Sequence, residues 1–583
     1  MSGTTRRSFL VRVMGVTIGT FLLPGSAKKA VAEVEKSGTA APPTLDLLMP
    51  PRCSSGPDGQ IVMVYIKSDG TTMVWQPDTD EELAEAKRFY EAGLNPACPQ
   101  IDEADVFPIE RTEEEQRLIA AILDRFDDDH PRDVYADWLI QQGNPIGEII
   151  RIDLLTDRIP EDDPRHRTAM KEYWQIMEDH GETLYRPLAA LGLWPTMWSE
   201  FAPHYWLQRG LVQTVNVNIS GILPDKTDWL FQAAPALTQL IIRLGNPDVA
   251  HLLASPKFNQ IRELSFEKAF GSGLTNDGLI ALTKLKNLSR LEKLEIDYSL
   301  VEETGIQVLM SSPLMEQLSS LNLSSCKLRD SGAKIVANST RVGRLKHLRV
   351  GSNKLSMTGV QSLLTSSQLV NLESLDLSSN NCENDEFDSL TGPPPPRLKT
   401  LTLSNCRFDE EPLLLLMEWL GDSNIVELKL DSNNVTTRTI EALTQSHCMK
   451  RLKRIELSYS SIGDAGVEQL ARIPRQLESL KLNDCDIHAD GVKAIASAAQ
   501  LAQLTTLELA YNPIGLEGAK SLANSRYLQN LKSLDVGENT VGEEGQKLLT
   551  DRFGESVVSF YDDSDDDSDD DSDDDSDDDS DDD

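Results

Sequence analysis

LSSLNLSSCKLRDSGAKIVANSTRVGR, residues 318–344, and LTTLELAYNPIGLEGAKSLANSRYLQN, residues 504–530, are two copies of one pattern. Leu291, Leu318, Leu345, Leu372, Leu398, Ile425, Leu452, Leu477, Leu504 and Leu531 each open such a copy, mostly 27 residues apart, with single intervals of 26 and 25. Three residues in stands an apolar side chain (Leu294, Leu321, Leu348, Leu375, Leu401, Leu428, Ile455, Leu480, Leu507, Leu534). Two further on stands another (Ile296, Leu323, Val350, Leu377, Leu403, Leu430, Leu457, Leu482, Leu509, Val536). That alternation predicts a short strand with one buried face. Eight residues in come Ser299, Cys326, Asn353, Asn380, Cys406, Asn433, Ser460, Cys485, Asn512 and Asn539, small side chains that turn inward and satisfy buried backbone.

The period then changes. Glycine recurs fourteen residues in (Gly305, Gly332, Gly359, Gly466, Gly491, Gly518, Gly545), followed by apolar positions at helical spacing such as Ala333, Val336 and Ala337. Each copy reads as strand, turn, helix. One copy alone cannot bury its apolar face, but stacked copies share a continuous core. The pattern L-x-x-L-x-L-x-x-N/C-x-L resembles the leucine-rich repeat, and the copies' length and helices resemble its ribonuclease-inhibitor-like subclass. The resemblance implies an α/β solenoid: a horseshoe with a parallel concave sheet and convex helices. For function it implies only a binding surface.

The 583 residues carry a formal charge of −38, of which a Ser-Asp run at 562–583 supplies 17 negative charges, leaving −21 for the rest. Such a field repels a phosphate backbone and argues against nucleic-acid binding. Cys326, Cys406 and Cys485 belong to the repeat, Cys382 takes an apolar repeat position and Cys448 ends a helical stretch. Cys53 and Cys98 lie outside the array and would be free to pair in an oxidising compartment.

Residues 1–32 read as an export signal. Thr5-Arg6-Arg7-Ser8-Phe9-Leu10 resembles the twin-arginine motif, with Val11 and Arg12 following where the pattern usually has Lys next. Val13–Leu23 is mildly apolar and Ala30-Val31-Ala32 offers small residues to a signal peptidase. The apolar segment is too short for a permanent membrane span. Removal of residues 1–32 would leave −43. The expectation is export from a bacterial cytoplasm, to periplasm or beyond; the competing reading is a cytoplasmic protein with a basic, apolar start.

Residues 33–58 read as an Ala/Pro/Ser/Gly linker. Within 59–110, Ile61–Ile66 and Thr71–Trp75 flank Asp69-Gly70, a hairpin signal, and Asp80–Ala92 reads as a helix, making a small ββα unit. Residues 111–205 read as helical. A first helix carries Leu118, Ile119, Ile122 and Leu123. A second, after His130-Pro131, is expected to bury Val134, Tyr135, Trp138 and Leu139 before Gly143 stops it, and Gly147-Glu148 opens a third. The run Asp133–Leu139 with Gly143-Asn144-Pro145 resembles a bacterial repeat-companion domain, which sits ahead of repeat arrays and implies an N-terminal cap rather than a chemistry. The array spans 206–561, with three degenerate repeats opening at Val212, Leu237 and Ile261, Pro393–Pro396 interrupting one later convex side, and Phe553–Tyr561 closing the far end. The tail, 562–583, has nothing to bury and is expected to be disordered.

No nucleophile elbow, phosphate loop, HExxH pair or CxxC appears, so no catalysis and no cofactor are expected. The turns explain Gly515–Ser521, Asp484-Cys485-Asp486 and Asp127-Asp128-Asp129-His130 better than nucleotide or metal binding does. What remains is the open sheet face. Its middle row reads Glu295, Asn322, Arg349, Asp376, Thr402, Lys429, Glu456, Lys481, Glu508, Asp535, with Tyr298, Tyr459 and Tyr511 at the rim. Because hot spots favour Tyr and Arg, the expected partner-binding residues are Tyr298, Arg349, Lys429, Tyr459, Lys481 and Tyr511. The competing reading is a hydrated face with no dedicated ligand. The function this implies is a non-enzymatic scaffold for a protein partner. Two alternatives follow from other features: long repeats with an acidic tail resemble Ran-type GTPase-activating proteins, and the tail's carboxylates suit weak calcium buffering.

Overall fold

The computed structural model describes residues 47–55, 61–67, 72–75 and 106–560, apart from 161–162, 192, 194–204, 219–226, 245–252, 269–273, 300, 383–389 and 474–476. The expected signal, the helix at 80–92, Cys98 and the acidic tail lie outside the described residues. The chain divides into two compact units, residues 1–273 with 284–291, and residues 274–283 with 292–583.

The first unit contains a three-stranded antiparallel sheet in the order β1 (Leu47–Ser55), β2 (Ile61–Lys67), β3 (Thr72–Trp75). The hairpin is as expected, but β1 lies within the stretch read as linker. Its composition hid it. Pro50 and Pro51 fall at a register irregularity between Met49 and Arg52, tolerable because β1 is an edge strand.

Helices α1 (Glu113–Asp124), α2 (His130–Gln141), α3 (Ile146–Arg158) and α4 (Pro164–Ala190) follow. Thr112 caps α1 by accepting from the Glu115 amide, and Gly143, at φ +72°, ends α2. The buried stripe of α2 runs Arg132, Tyr135, Ala136, Leu139, whereas Val134 is 41% exposed and Trp138 only partly buried. The expectation was displaced because the stripe at i, i+3, i+4, i+7 includes an arginine. Arg132 lies with its guanidinium 5.1 Å from the Phe126 ring centroid and donates to the Asp128 carbonyl. Burial, then the Arg209 charge, pushes its pKa down to about 10.

Strands β4 (Tyr205–Gln208) and β5 (Leu211–Asn218) form an antiparallel hairpin, then β6 (Gln239–Leu244) and β7 (Glu263–Lys268) add in parallel, with α5 (Thr227–Ala233) between β5 and β6. The register Thr214–Gln239–Glu263 is that of repeats opening at Val212, Leu237 and Ile261. Leu211 and Ala236 share one core with Ile119, Ile122, Tyr135, Ala136, Leu139, Ile150 and Leu154. Gly210 makes that contact possible: its φ is +74° and a Cβ there would stand 2.3 Å from the Ile150 Cα. Its amide donates to Asp153 at 2.7 Å. Residues just before α1, placed with the ββα unit from sequence, instead fasten onto α5, where Phe107 stacks on Trp229 and the Ile109 amide donates to Gln232.

The second unit is the regular array. Strands β8 (Lys293–Glu295), β9 (Ser320–Asn322), β10 (His347–Arg349), β11 (Ser374–Asp376), β12 (Thr400–Thr402), β13 (Glu427–Lys429), β14 (Arg454–Glu456), β15 (Ser479–Lys481), β16 (Thr506–Glu508), β17 (Ser533–Asp535) and β18 (Val558–Ser559) pair in parallel, each with the next. The central leucines align in one register from Leu294 to Leu534, all 1% exposed or less. A helix accompanies these strands: α6 (Asn276–Thr283) precedes β8, and α7 (Glu303–Ser311), α8 (Arg329–Asn338) and α9 (Met357–Leu364) follow β8, β9 and β10. Between β11 and β12, where Pro393–Pro396 lie, no helix occurs among the described residues. Helices then resume with α10 (Glu410–Trp419), α11 (Thr437–Gln445), α12 (Gly463–Leu470), α13 (Ala489–Ser497), α14 (Gly515–Ala523) and α15 (Gly542–Phe553). The result is an open α/β solenoid, closed at its far end by β18.

Two devices hold the stack. Asn433 accepts from the amides of Cys406 and Phe408 and donates to the carbonyls of Leu403 and Leu430; Asn380 and Asn512 do the same at their positions, and Asn353 differs in giving its second bond to the Gly351 carbonyl. Cys326, Cys406 and Cys485 occupy the same position and donate their thiols to carbonyls of the preceding repeat. Burial pushes the Cys326 and Cys485 thiols up to about 12, so they serve as packed donors rather than nucleophiles. On the helical side, Asp330 accepts from the Ser356 amide of the next repeat, and Gly359 leaves room for it, since a Cβ there would stand 2.4 Å from the carboxylate. Among the described residues no helix is long and apolar enough to cross a membrane.

Candidate functional site

With both inner rows of leucines turned to the core, the second unit offers partners the outward residues of β8 to β17 and the turns that follow. In each turn the residue seven past the repeat opening is left-handed: Tyr298, Ser325, Ser352, Ser379, Asn405, Ser432, Tyr459, Asp484, Tyr511 and Glu538 all have φ between 49° and 58°. The amides of these residues, from Tyr298 to Tyr511, donate to a carbonyl of the next repeat, as Tyr459 does to Asn483 at 2.7 Å and Tyr511 to Gly537 at 2.9 Å. That ladder sustains a conformation costly for a bulky side chain, and it holds the side chain outward.

The three tyrosines are correspondingly exposed, at 58% for Tyr298, 56% for Tyr459 and 47% for Tyr511. The structure does not gather all of them. Tyr459 and Tyr511 lie two strands apart, about 10 Å at the usual strand spacing, with Asp484 between. Tyr298 lies six strands from Tyr459, about 29 Å by the same spacing, and forms no cluster with them.

Lys429 and Lys481 are each ion-paired within the sheet face. Lys429 Nζ lies 3.0 Å from Glu456 and 3.3 Å from Glu427; Lys481 Nζ lies 3.0 Å from Glu508 and 3.8 Å from Glu456. Arg454 joins from the row below, 3.0 Å from Glu427. The middle row of β13 to β16 is thus a ladder of alternating sign that neutralises itself. Burial pushes the Glu427 carboxyl up, but Arg454 and Lys429 outweigh it and hold it below the usual carboxylate range. Burial likewise lowers Lys429 while Glu456 and Glu427 raise it, with a net rise. At the end of this row burial and the Glu508 charge push the Asp535 carboxyl up.

Arg349 is different. It is exposed, and its register neighbour Asp376 is occupied by the Ser378 amide and hydroxyl. Lys327 and Lys354, exposed in the left-handed turns of the copies opening at Leu318 and Leu345, and Arg329 at the start of α8, complete a basic group that the sequence reading passed over. Its signal was available as a shared repeat position: Lys327 and Lys354 each follow the inward Cys326 or Asn353 by one residue. The Asp484-Cys485-Asp486 turn points its two carboxylate residues outward around a buried cysteine, both in left-handed conformation.

A family model described as "Leucine Rich repeat" matches residues 317–337, 475–496, 502–523 and 527–549, so the chain carries leucine-rich repeats. Among solved structures it is similar to an internalin from Listeria monocytogenes, at 19% identity over 57% of this chain and 82% of that one, with a TM-score of 0.33. It is also similar to a chain of the Rad7 and Elc1 complex in yeast, at 17% identity over 60% of this chain and 80% of that one, with a TM-score of 0.39. No curated protein matches it.

Proposed function

We propose that this chain is a non-enzymatic scaffold whose protein partner docks on the open sheet face of the second unit, centred on Tyr459 and Tyr511. The observation that carries the reading is the pair of exposed tyrosines, held by a backbone ladder in a conformation that large side chains rarely adopt. A tyrosine contributes a large amphipathic contact, and a rigid frame loses little ordering entropy on binding. The charge ladder beneath them, Lys429 to Glu508, contributes hydration and specificity rather than free cations. Export of the folded chain through a twin-arginine-type route belongs to the same proposal and rests on residues 1–32 alone.

The test is differential capture. Full-length chain and its Tyr459→Ser/Tyr511→Ser variant are immobilised and offered the same extract, with Val370→Ser, another exposed apolar side chain, as control. The reading expects a partner retained by the native chain and the control and lost with the tyrosines. A captured set that the double substitution leaves unchanged would overturn it.

A further inference from the structure

Cations on the face of the second unit fall into two classes. Those of β13 to β15, namely Lys429, Arg454 and Lys481, each meet a carboxylate within 3.0 Å. Lys327, Arg329, Arg349 and Lys354 are exposed, sit in two consecutive repeats and make no ion pair among the described residues. Asp330 accepts from the Ser356 amide and hydroxyl, and Asp376, one strand on from Arg349, accepts from the Ser378 amide and hydroxyl through one of its oxygens. Ser324, Gly351 and Ser378, neighbours on the sheet, are all small. In a chain of −38, four cations in two consecutive repeats that form no ion pair among the described residues stand apart from the paired cations of β13 to β15.

We infer that this group is the docking place of the chain's own Ser-Asp segment, residues 562–583. Charge is complementary, since the segment carries 17 aspartates and no cation. Reach is sufficient. The segment leaves the array beside β18, eight strands from β10 and nine from β9, about 38–43 Å at the usual spacing. Its 22 residues extend to about 75 Å at most. Tethering decides between this occupant and a free acidic partner. A separate polyanion must approach a strongly negative chain, whereas an attached one is present at an effective concentration in the millimolar range. The docked segment covers Arg349.

Zero-length carbodiimide cross-linking of the full chain tests this, because it joins a carboxylate to an amine only in direct contact. Lys327 and Lys354 should take links to residues 562–583 at least about fivefold more often than Lys532 and Lys547, which sit closer to the segment's root. Arg329→Ser with Arg349→Ser, which removes charge without removing either linking amine, should bring the yield down to the level of those controls, as should 0.5 M salt. Links dominated by Lys532 and Lys547 in both proteins would overturn the inference. So would links that join isotopically light to heavy chains in a mixture, since they would assign the occupant to a second copy.

Discussion

Lys429 and Glu456 face each other across adjacent strands with 3.0 Å between ammonium and carboxylate, each partly shielded by the neighbouring repeat. The pair turns a candidate contact residue into part of the sheet's own surface. Its strength sets the first expectation. A double-mutant cycle of Lys429→Met and Glu456→Gln, read by urea unfolding, should give a coupling of about 0.3–1 kcal/mol at low salt that fades toward 1 M. A coupling above about 2 kcal/mol, or one indifferent to salt, would mean the ladder is a buried network instead.

The same ladder makes the acid limb of stability specific. Glu427 has its carboxyl held below the usual range in the fold, so its contribution is fully present above its unfolded pKa and is lost as pH falls through the lower, folded one. Glu427→Gln should therefore lower stability at neutral pH, and the difference from the native chain should close as pH falls below the usual carboxylate range.

Asp535 has the opposite sign. Burial and Glu508 raise its carboxyl, so ionisation at neutral pH weakens the fold, and stability tied to this group falls as pH rises through the folded value. Asp535→Asn retains an acceptor for the Gly537 amide and removes the charge. It should raise stability by about 0.5 kcal/mol at pH 7, with the gain vanishing once the native carboxyl is protonated. A loss of stability at pH 7 would show that the Gly537 contact needs the carboxylate.

Repeat spacing made the array legible before any coordinate, because a fixed period also fixes register: Leu375 lies beside Leu348 and Leu401 as their shared position requires. Exposure of the tyrosines was legible for the same reason. Pairing of the cations was not read, although the row Lys429, Glu456, Lys481, Glu508 spells alternating signs one strand apart. Arg349 escapes that logic because Asp376 bonds within its own turn. The buried Arg132 had no pattern to announce it; its guanidinium lies over the Phe126 ring supplied by the preceding loop and within the field of Asp127, Asp128 and Asp129. Strand β1 was masked by Pro50 and Pro51.

Export rests on two side chains. If Thr5-Arg6-Arg7-Ser8-Phe9-Leu10 is read by a twin-arginine translocase, Arg6→Lys with Arg7→Lys should leave the protein uncleaved in the cytosol, as fractionation and N-terminal sequencing would show. Normal processing of that double variant would remove the export reading while leaving the fold untouched.

The asparagine ladder yields the largest expected effect. Asn433 closes buried bonds with the amides of Cys406 and Phe408 and the carbonyls of Leu403 and Leu430, with distances from 2.8 to 3.2 Å. Asn433→Ala strips both amides of their acceptor where water has no access, and an unsatisfied buried donor costs far more than a hydrogen bond contributes on average. The expected loss is about 2–5 kcal/mol. Cys406→Ala removes one weak thiol donor, to Leu377 at 3.2 Å, and leaves a carbonyl with a second lone pair, so it should cost only about 1 kcal/mol. Because each repeat touches chiefly its neighbours, the damage from Asn433→Ala should first appear as lost amide protection across residues 398–460, before any loss at β9 or β17. Protection falling together along the whole second unit would show that the repeats unfold as one block, and that the ladder transmits stability over its full length.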